Sequence, residues 1–214
     1  MKYAKKSLMI ADSLGDDALA ASPVNLMGRV YYQVSEFVQA IQFLERSVEQ
    51  MRQIGNRVEE STASALSGYV LAFLGEFDRA YVHADHSIKL AQKIQNPFAK
   101  ANAYHLRGCI CDQQGEWTQA IKDYEKAIQI AEKAEDLFRL YLVKSWKGRA
   151  HVMIGEISWG RELLEESLAL AEKIGTKFWL AWQKTALAAC LFMLGELETG
   201  SQLCQDAICL GEET

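Results

Sequence analysis

His83 and His86 stand three residues apart, the spacing at which two imidazoles on one helix face can share a metal. No third ligand lies near them in sequence, and position 86 falls at intervals of forty with Arg46, Lys126, Glu166 and Asp206, a charged column that marks a solvated face. Cys109 and Cys111 are two apart, which on a helix turns their thiols about 200° from each other and prevents a shared metal. His151 occupies a column with Tyr31, Leu71, Cys111 and Leu191, the setting of a core histidine more than of a general base. Cys204 stands in line with Leu44, Ala84, Tyr124 and Leu164 and acts as a small hydrophobe. The paired acids Glu165 and Glu166 belong to a solvated helix face. Walker loop, dinucleotide fingerprint and nucleophile elbow are all missing. The expectation is a chain with no enzymatic activity, no cofactor and no metal. Arg29 and Arg149 retain a capacity for recognition, because a guanidinium fork matches a carboxylate.

Composition narrows the partner. The 214 residues are 50% hydrophobic, enough to bury a sizeable core, and carry a formal charge of −5. A net acidic chain lacks the basic face that releases counterions from a phosphate backbone, so a nucleic-acid partner is not expected. The opening "MKYAKKSLMIADSLG" has an apolar run only from Leu8 to Ala11, too short for a signal segment or a membrane span. Five cysteines without framework spacing suit a reducing, cytoplasmic setting.

The elements that must position any site are set by a repeat. "VSEFVQA" at 34, "LGEFDRA" at 74, "QGEWTQA" at 114, "IGEISWG" at 154 and "LGELETG" at 194 recur at intervals of forty. Gly28, Gly68, Gly108 and Gly148 form a column completed by Ala188, and Ala40, Ala80, Ala120, Gly160 and Gly200 follow twelve residues later. Asp16, Asn56, Asn96, Asp136 and Thr176 make a third column of good helix N-caps. Gly75, Gly115, Gly155 and Gly195 suit the left-handed residue that ends a helix, and Glu36, Glu76, Glu116, Glu156 and Glu196 then meet the positive end of the next. The in-helix glycines predict a close helix crossing opposite the small residues at 40, 80, 120, 160 and 200. Pro23, seven residues past Asp16, predicts a first A helix that starts or bends there.

These columns resemble the tetratricopeptide repeat, in which a helix-A glycine is followed by a small residue twelve positions on and another seven later, here Ser47, Ser87, Ala127, Ser167 and Ala207. The period is forty instead of 34, and the early helix-A Trp and closing helix-B Pro are missing. In this the chain looks like the long-helix repeats of spindle-orientation and kinesin-light-chain scaffolds and of the C-terminal sensor regions of bacterial signalling ATPases and nucleotide cyclases. The resemblance implies an all-α, right-handed α-solenoid of about eleven helices forming a single domain over 1–214: an orphan B helix at 1–14, then repeats 16–54, 56–94, 96–134, 136–174 and 176–210. Beginning and ending on B helices without a polar cap, the chain is expected to be either a fragment of a longer protein or a small one whose ends are covered.

The family geometry also implies a concave groove built from A helices, whose candidate partner-binding residues here are Asn25, Arg29, Tyr32, Tyr69, Phe73, Asn102, His105, Asp112, Arg149 and Met153. At the C-terminal end, Phe178, Trp182, Phe192 and Met193 make the last A helix apolar on both faces and form a candidate apolar interface, for which a second copy of the chain is one occupant. The expected function is a protein-interaction module holding a protein or peptide in the groove. The alternative is a regulatory or ligand-sensing segment of a larger signalling protein.

Overall fold

The forty-residue interval is realised as one antiparallel helix pair. The computed structural model describes residues 2–14, 17–175 and 177–212, and among these the chain forms eleven helices and no strand. The A-type helices are α2 (Asp17–Gln33), α4 (Arg57–Phe73), α6 (Pro97–Gln113), α8 (Leu137–Met153) and α10 (Lys177–Met193). The B-type helices are α1 (Lys2–Leu14), α3 (Phe37–Gln53), α5 (Phe77–Ile94), α7 (Trp117–Lys133), α9 (Ile157–Ile174) and α11 (Leu197–Glu212). They fall into two compact units, Met1–Gln114 with α1 to α6 and Gly115–Thr214 with α7 to α11.

One backbone device closes the A helices. At the end of α4 the Gly75 amide donates to Ala72 O at 3.1 Å and the Glu76 amide reaches back to Leu71 O at 3.0 Å. This paired closure requires a left-handed residue, and Gly75 supplies it at φ +77° without a Cβ clash. The same pair of bonds recurs at Ser35–Glu36, Gly155–Glu156 and Gly195–Glu196, and after B helices at Gly55–Asn56 and Glu135–Asp136. Three positions take the left-handed conformation without glycine, Ser35, Gln95 and Glu135, at φ 61°, 52° and 54°.

The N-cap expectations hold where the cap is described. Asn56, Asn96 and Asp136 accept from the amides of Glu59, Ala99 and Arg139 at 3.2, 2.9 and 2.9 Å. Asp16 and Thr176 lie outside the described residues. Glu36, Glu76, Glu116 and Glu156 do occupy N-cap positions, yet none makes a side-chain capping bond. The carboxylates turn to other partners instead. Glu76 pairs with Arg79, and Glu156 accepts from His151 Nδ1 at 2.6 Å.

Pro23 does not start the first A helix, because α2 runs through it from Asp17 to Gln33. Ala20 and Val24, on either side of the proline, are both buried against Ala11 of α1, with Leu8 and Phe43 packed around them. That packing holds the two halves in one helix despite the amide hydrogen that proline lacks.

The close crossing against a small residue is present at Gly68 and Gly148. A Cβ on Gly68 would stand 2.7 Å from Ala80 O, and one on Gly148 would stand 2.9 Å from Gly160 O. At Gly28 the obstacle is the Leu44 side chain at 2.7 Å, a residue on the same facing helix as Ala40. Serines complete the crossings: Ser61 and Ser87, both fully buried, each donate to the other's carbonyl, at 3.1 and 2.7 Å. Buried hydroxyls cost stability unless they find such partners.

Gly68→Ala should therefore lower the unfolding free energy by about 2 kcal/mol, since the neighbour that must give way is backbone. Glu135→Gly should raise it by a few tenths to about 1 kcal/mol by relieving a left-handed non-glycine residue. Urea denaturation measures both, and a negligible change at Gly68 would remove the crossing as the reason for that glycine.

Candidate functional site

In the first unit, α2, α3 and α4 bring four aromatic rings together. Tyr32 lies 5.8 Å from Tyr69 and 6.5 Å from Phe37 between centroids, Tyr69 meets Phe73 edge-on at 4.9 Å, and Phe37 stacks on Phe73 at 4.7 Å. Tyr69 is buried, Tyr32 is half-buried and Phe73 remains 38% exposed, so the cluster has a covered floor and an open rim. Burial, helped by the nearby Cys109 thiol and opposed by a hydrogen bond with Tyr69, pushes the Tyr32 phenol up to about 12. It therefore stays a neutral hydrogen-bonding group at any physiological pH. Arg29, one turn back along α2, is exposed and makes no ion pair among the described residues.

The remaining first-unit candidates are buried. Asn25 is 8% exposed and donates to Glu59 Oε2 at 2.9 Å. Asn102, His105 and Asp112 of α6 are 6%, 4% and 5% exposed. Phe37 was not singled out in the sequence because it starts a B helix. Its signal was the aromatic or aliphatic residue that follows the Glu of every turn, as in Phe77, Trp117 and Ile157.

The second unit carries a different arrangement. The Arg149 guanidinium lies 4.9 Å over the Trp146 ring, and Trp146 packs on Trp182 at 4.9 Å. Trp146 escaped the sequence reading, although a Trp three residues before an Arg on one helix is the spacing that allows such a contact. Met153, Phe192 and Met193 are 47%, 40% and 58% exposed. Phe178 belongs to α10, but its side chain lies outside the described residues.

The groups with catalytic chemistry are held by structural contacts. His83 Nδ1 lies 3.3 Å from Ser64 Oγ and its Nε2 lies 3.4 Å from Glu45 Oε1, an order that superficially matches a nucleophile, base and carboxylate. Ser64 is fully buried, however, and its hydroxyl lies 3.0 Å from the His83 carbonyl, so no substrate reaches it. Burial holds the His83 imidazole below its ordinary range, with Glu45 opposing that shift. His151 is 7% exposed and tied to Glu156, beside an open hollow of about 500 Å³ at the start of α9. Among the described residues no group of three His, Cys, Asp or Glu side chains could hold a metal.

His86 is one of three side chains gathered around a buried carboxylate. Glu60 of α4, 1% exposed, accepts from Arg57 Nη1 at 2.7 Å, His86 Nε2 at 3.0 Å and Arg52 Nε at 3.2 Å. Burial by itself would raise the Glu60 carboxyl, but the bonds from Arg57, His86 and Arg52 outweigh it and hold the group below the usual carboxylate range. Three helices, α3, α4 and α5, are thereby pinned to one oxygen pair.

The fold defines a class, the α-helical repeat built of antiparallel helix pairs. Residues 61–133 match the family model described as tetratricopeptide repeat. The helix pairing and the forty-residue register continue on either side of that match. No curated protein matches the chain. Among solved structures, BtubC (BKLC) from P. vanneervenii aligns with a TM-score of 0.74 at 12% identity, over 99% of this chain and 89% of that one. A Rap protein complexed with competence and sporulation factor aligns at 0.81 and 11% identity, over 92% of this chain and 54% of its own. A signal transduction ATPase with numerous domains, carrying a tetratricopeptide-repeat sensor, from Pyrococcus horikoshii aligns at 0.75 and 17% identity, over 98% of this chain and 31% of its own. At these identities the likeness is one of fold.

The Glu60 contribution is present above the unfolded carboxylate pKa, about 4.3, and is lost as pH falls through the lowered folded value. Glu60→Gln should cost about 1–3 kcal/mol at neutral pH, and the gap to the parent should narrow as pH falls below the usual carboxylate range. Thermal melts of both proteins across that range test it. A gap independent of pH would mean that the carboxylate charge is not what holds the three helices.

Proposed function

We propose that the chain is a non-enzymatic interaction module that holds a protein or peptide partner on the exposed faces of its A helices. The observation that carries this reading is the aromatic cluster of Tyr32, Phe37, Tyr69 and Phe73 with an open Phe73 rim and the exposed Arg29 one turn away. Aromatic rings fixed by their neighbours offer contact area at little entropy cost, and an unpaired guanidinium adds a fork for a carboxylate. Asn102, His105 and Asp112 lie under the A-helix surface and act as its polar support. In the second unit Trp146, Arg149 and Trp182 provide an aromatic and cationic pair of the same kind, with Met153 beside them.

Fold alone does not identify the partner, since unrelated ligands share such frames. That a Rap protein of similar fold was solved complexed with competence and sporulation factor supports a binding role. The similar ATPase, whose repeats are described as a sensor, favours a second reading in which this chain senses a ligand within a larger signalling protein. A formal charge of −5 supports a partner other than nucleic acid, and no described helix is long and apolar enough to cross a membrane. A cytoplasmic setting fits the free cysteines.

Affinity capture from a native lysate, followed by titration of the captured protein, tests the proposal. Arg29→Ala combined with Phe73→Ala should weaken binding roughly tenfold or more with helical circular dichroism unchanged. Arg149→Ala should weaken it further if the second unit shares the ligand. Unchanged affinity in the double variant would move the partner off these faces.

A further inference from the structure

Trp159, in the first turn of α9, is 64% exposed, an unusual setting for the largest of the side chains. At the matching positions of the other repeats stand Gln39, Arg79, Gln119 and Thr199, all exposed and polar. The frame therefore requires no aromatic ring at this place. Among the described residues its ring neighbour is His151, 6.0 Å away between centroids and tilted by 37°. Both line the open hollow of about 500 Å³ at the start of α9, together with Glu156, Ile157 and Ser158.

An earlier repeat shows what this joint lacks. At the start of α5, Arg79 occupies the position of Trp159, and its guanidinium binds the N-cap carboxylate of Glu76. Glu196, ahead of α11, is also held by a guanidinium, that of Arg161. At the start of α9 no described arginine takes this part. Glu156 accepts from His151 Nδ1 through Oε2 at 2.6 Å, and its side chain is 55% exposed, so Oε1 is left open beside the indole. Glu162, one turn further along α9, is exposed and makes no ion pair among the described residues. The nearby cations are placed elsewhere. Arg161 is bound by Glu165 and Glu196, and Lys122, which matches Glu162 on α7, lines a separate hollow with Trp117 and Thr118. The positive end of α9 meets the Glu156 carboxylate, which offsets it.

We infer that the hollow at the start of α9 receives an arginine side chain of a partner protein, its guanidinium stacked on the Trp159 indole and donating to Glu156 Oε1. The contact that Arg79 makes with Glu76 within the chain is thereby completed by a partner at Glu156. A planar guanidinium serves both groups at once, because its face meets the ring while its N–H fork stays in plane for a carboxylate. An ammonium has no face to stack, which makes lysine the poorer occupant. Glu162 adds attraction for the basic segment that carries the arginine. The site uses none of Arg29, Phe73 and Arg149, so this inference and the proposed function fail separately.

Fluorescence anisotropy of a labelled hexa-arginine peptide titrated with the full chain is the test, with hexa-lysine for comparison and two variants. Trp159→Gln gives this joint the residues of the α3 start, where Glu36 is followed by Gln39, and Glu162→Gln removes the second acid. The parent should bind hexa-arginine roughly threefold or more tightly than hexa-lysine. Trp159→Gln should weaken hexa-arginine roughly fivefold and erase that preference, with helical circular dichroism unchanged. Glu162→Gln should weaken both peptides alike, roughly twofold. A parent that binds neither peptide, or binds both equally, overturns the inference. Weakening in Glu162→Gln with none in Trp159→Gln overturns it too, since the attraction would then be that of a diffuse acidic surface. The combined Arg29→Ala and Phe73→Ala variant should leave hexa-arginine binding unchanged, and a loss there would place the peptide on the A-helix faces instead.

Discussion

The structure depends on a constraint at each helix junction: one residue must serve two helices at once. In the A-to-B turns it sends its amide back to a carbonyl near the end of the finished helix, while its own carbonyl accepts the first bond of the next. Glu76 does both, toward Leu71 O at 3.0 Å and from the Ala80 amide at 3.0 Å. Because a left-handed residue must precede it, the chain direction after the turn is set within narrow limits, and the following helix returns antiparallel. Repetition of that geometry lets the crossing of Gly68 against Ala80 recur at Gly148 against Gly160.

Energetically, the body is held by small residues at crossings and by polar groups satisfied between helices. Ala40, Ala80, Ala84 and Ala91 are buried completely or nearly so, which allows close backbone approach and dense packing. Ser167, also fully buried, has its hydroxyl 2.7 Å from the Tyr141 carbonyl and 2.8 Å from Gln183 Oε1. Such contacts join helices within each unit, as the interfaces of a helical repeat do.

The frame was legible in the sequence because its demands are local. A left-handed turn wants Gly, a helix start wants Asn or Asp, and a tight crossing wants Gly or Ala, each at a position that recurs every forty residues. At Pro23 the start it suggested is absent, because Ala20 and Val24 on either side of it pack with Ala11, and packing is not local. The candidate recognition faces were legible only in part. Arg29, Phe73 and Met193 prove exposed, whereas Asn102, His105 and Asp112 are covered by neighbours that no column of the sequence reveals. Phe37 and Trp146 were missed because ring contacts join different helices, and the spacing that brings them together belongs to the assembled pairs.

The N-cap glutamates have a further consequence. Freed from capping, three of their carboxylates are engaged differently: Glu76 by Arg79, which also binds Glu45, Glu156 by a buried His151, and Glu196 by Arg161 of α9. Identical backbone joints thus carry unequal side-chain locks. The side-chain contacts at the joints are therefore aperiodic even though the backbone skeleton repeats.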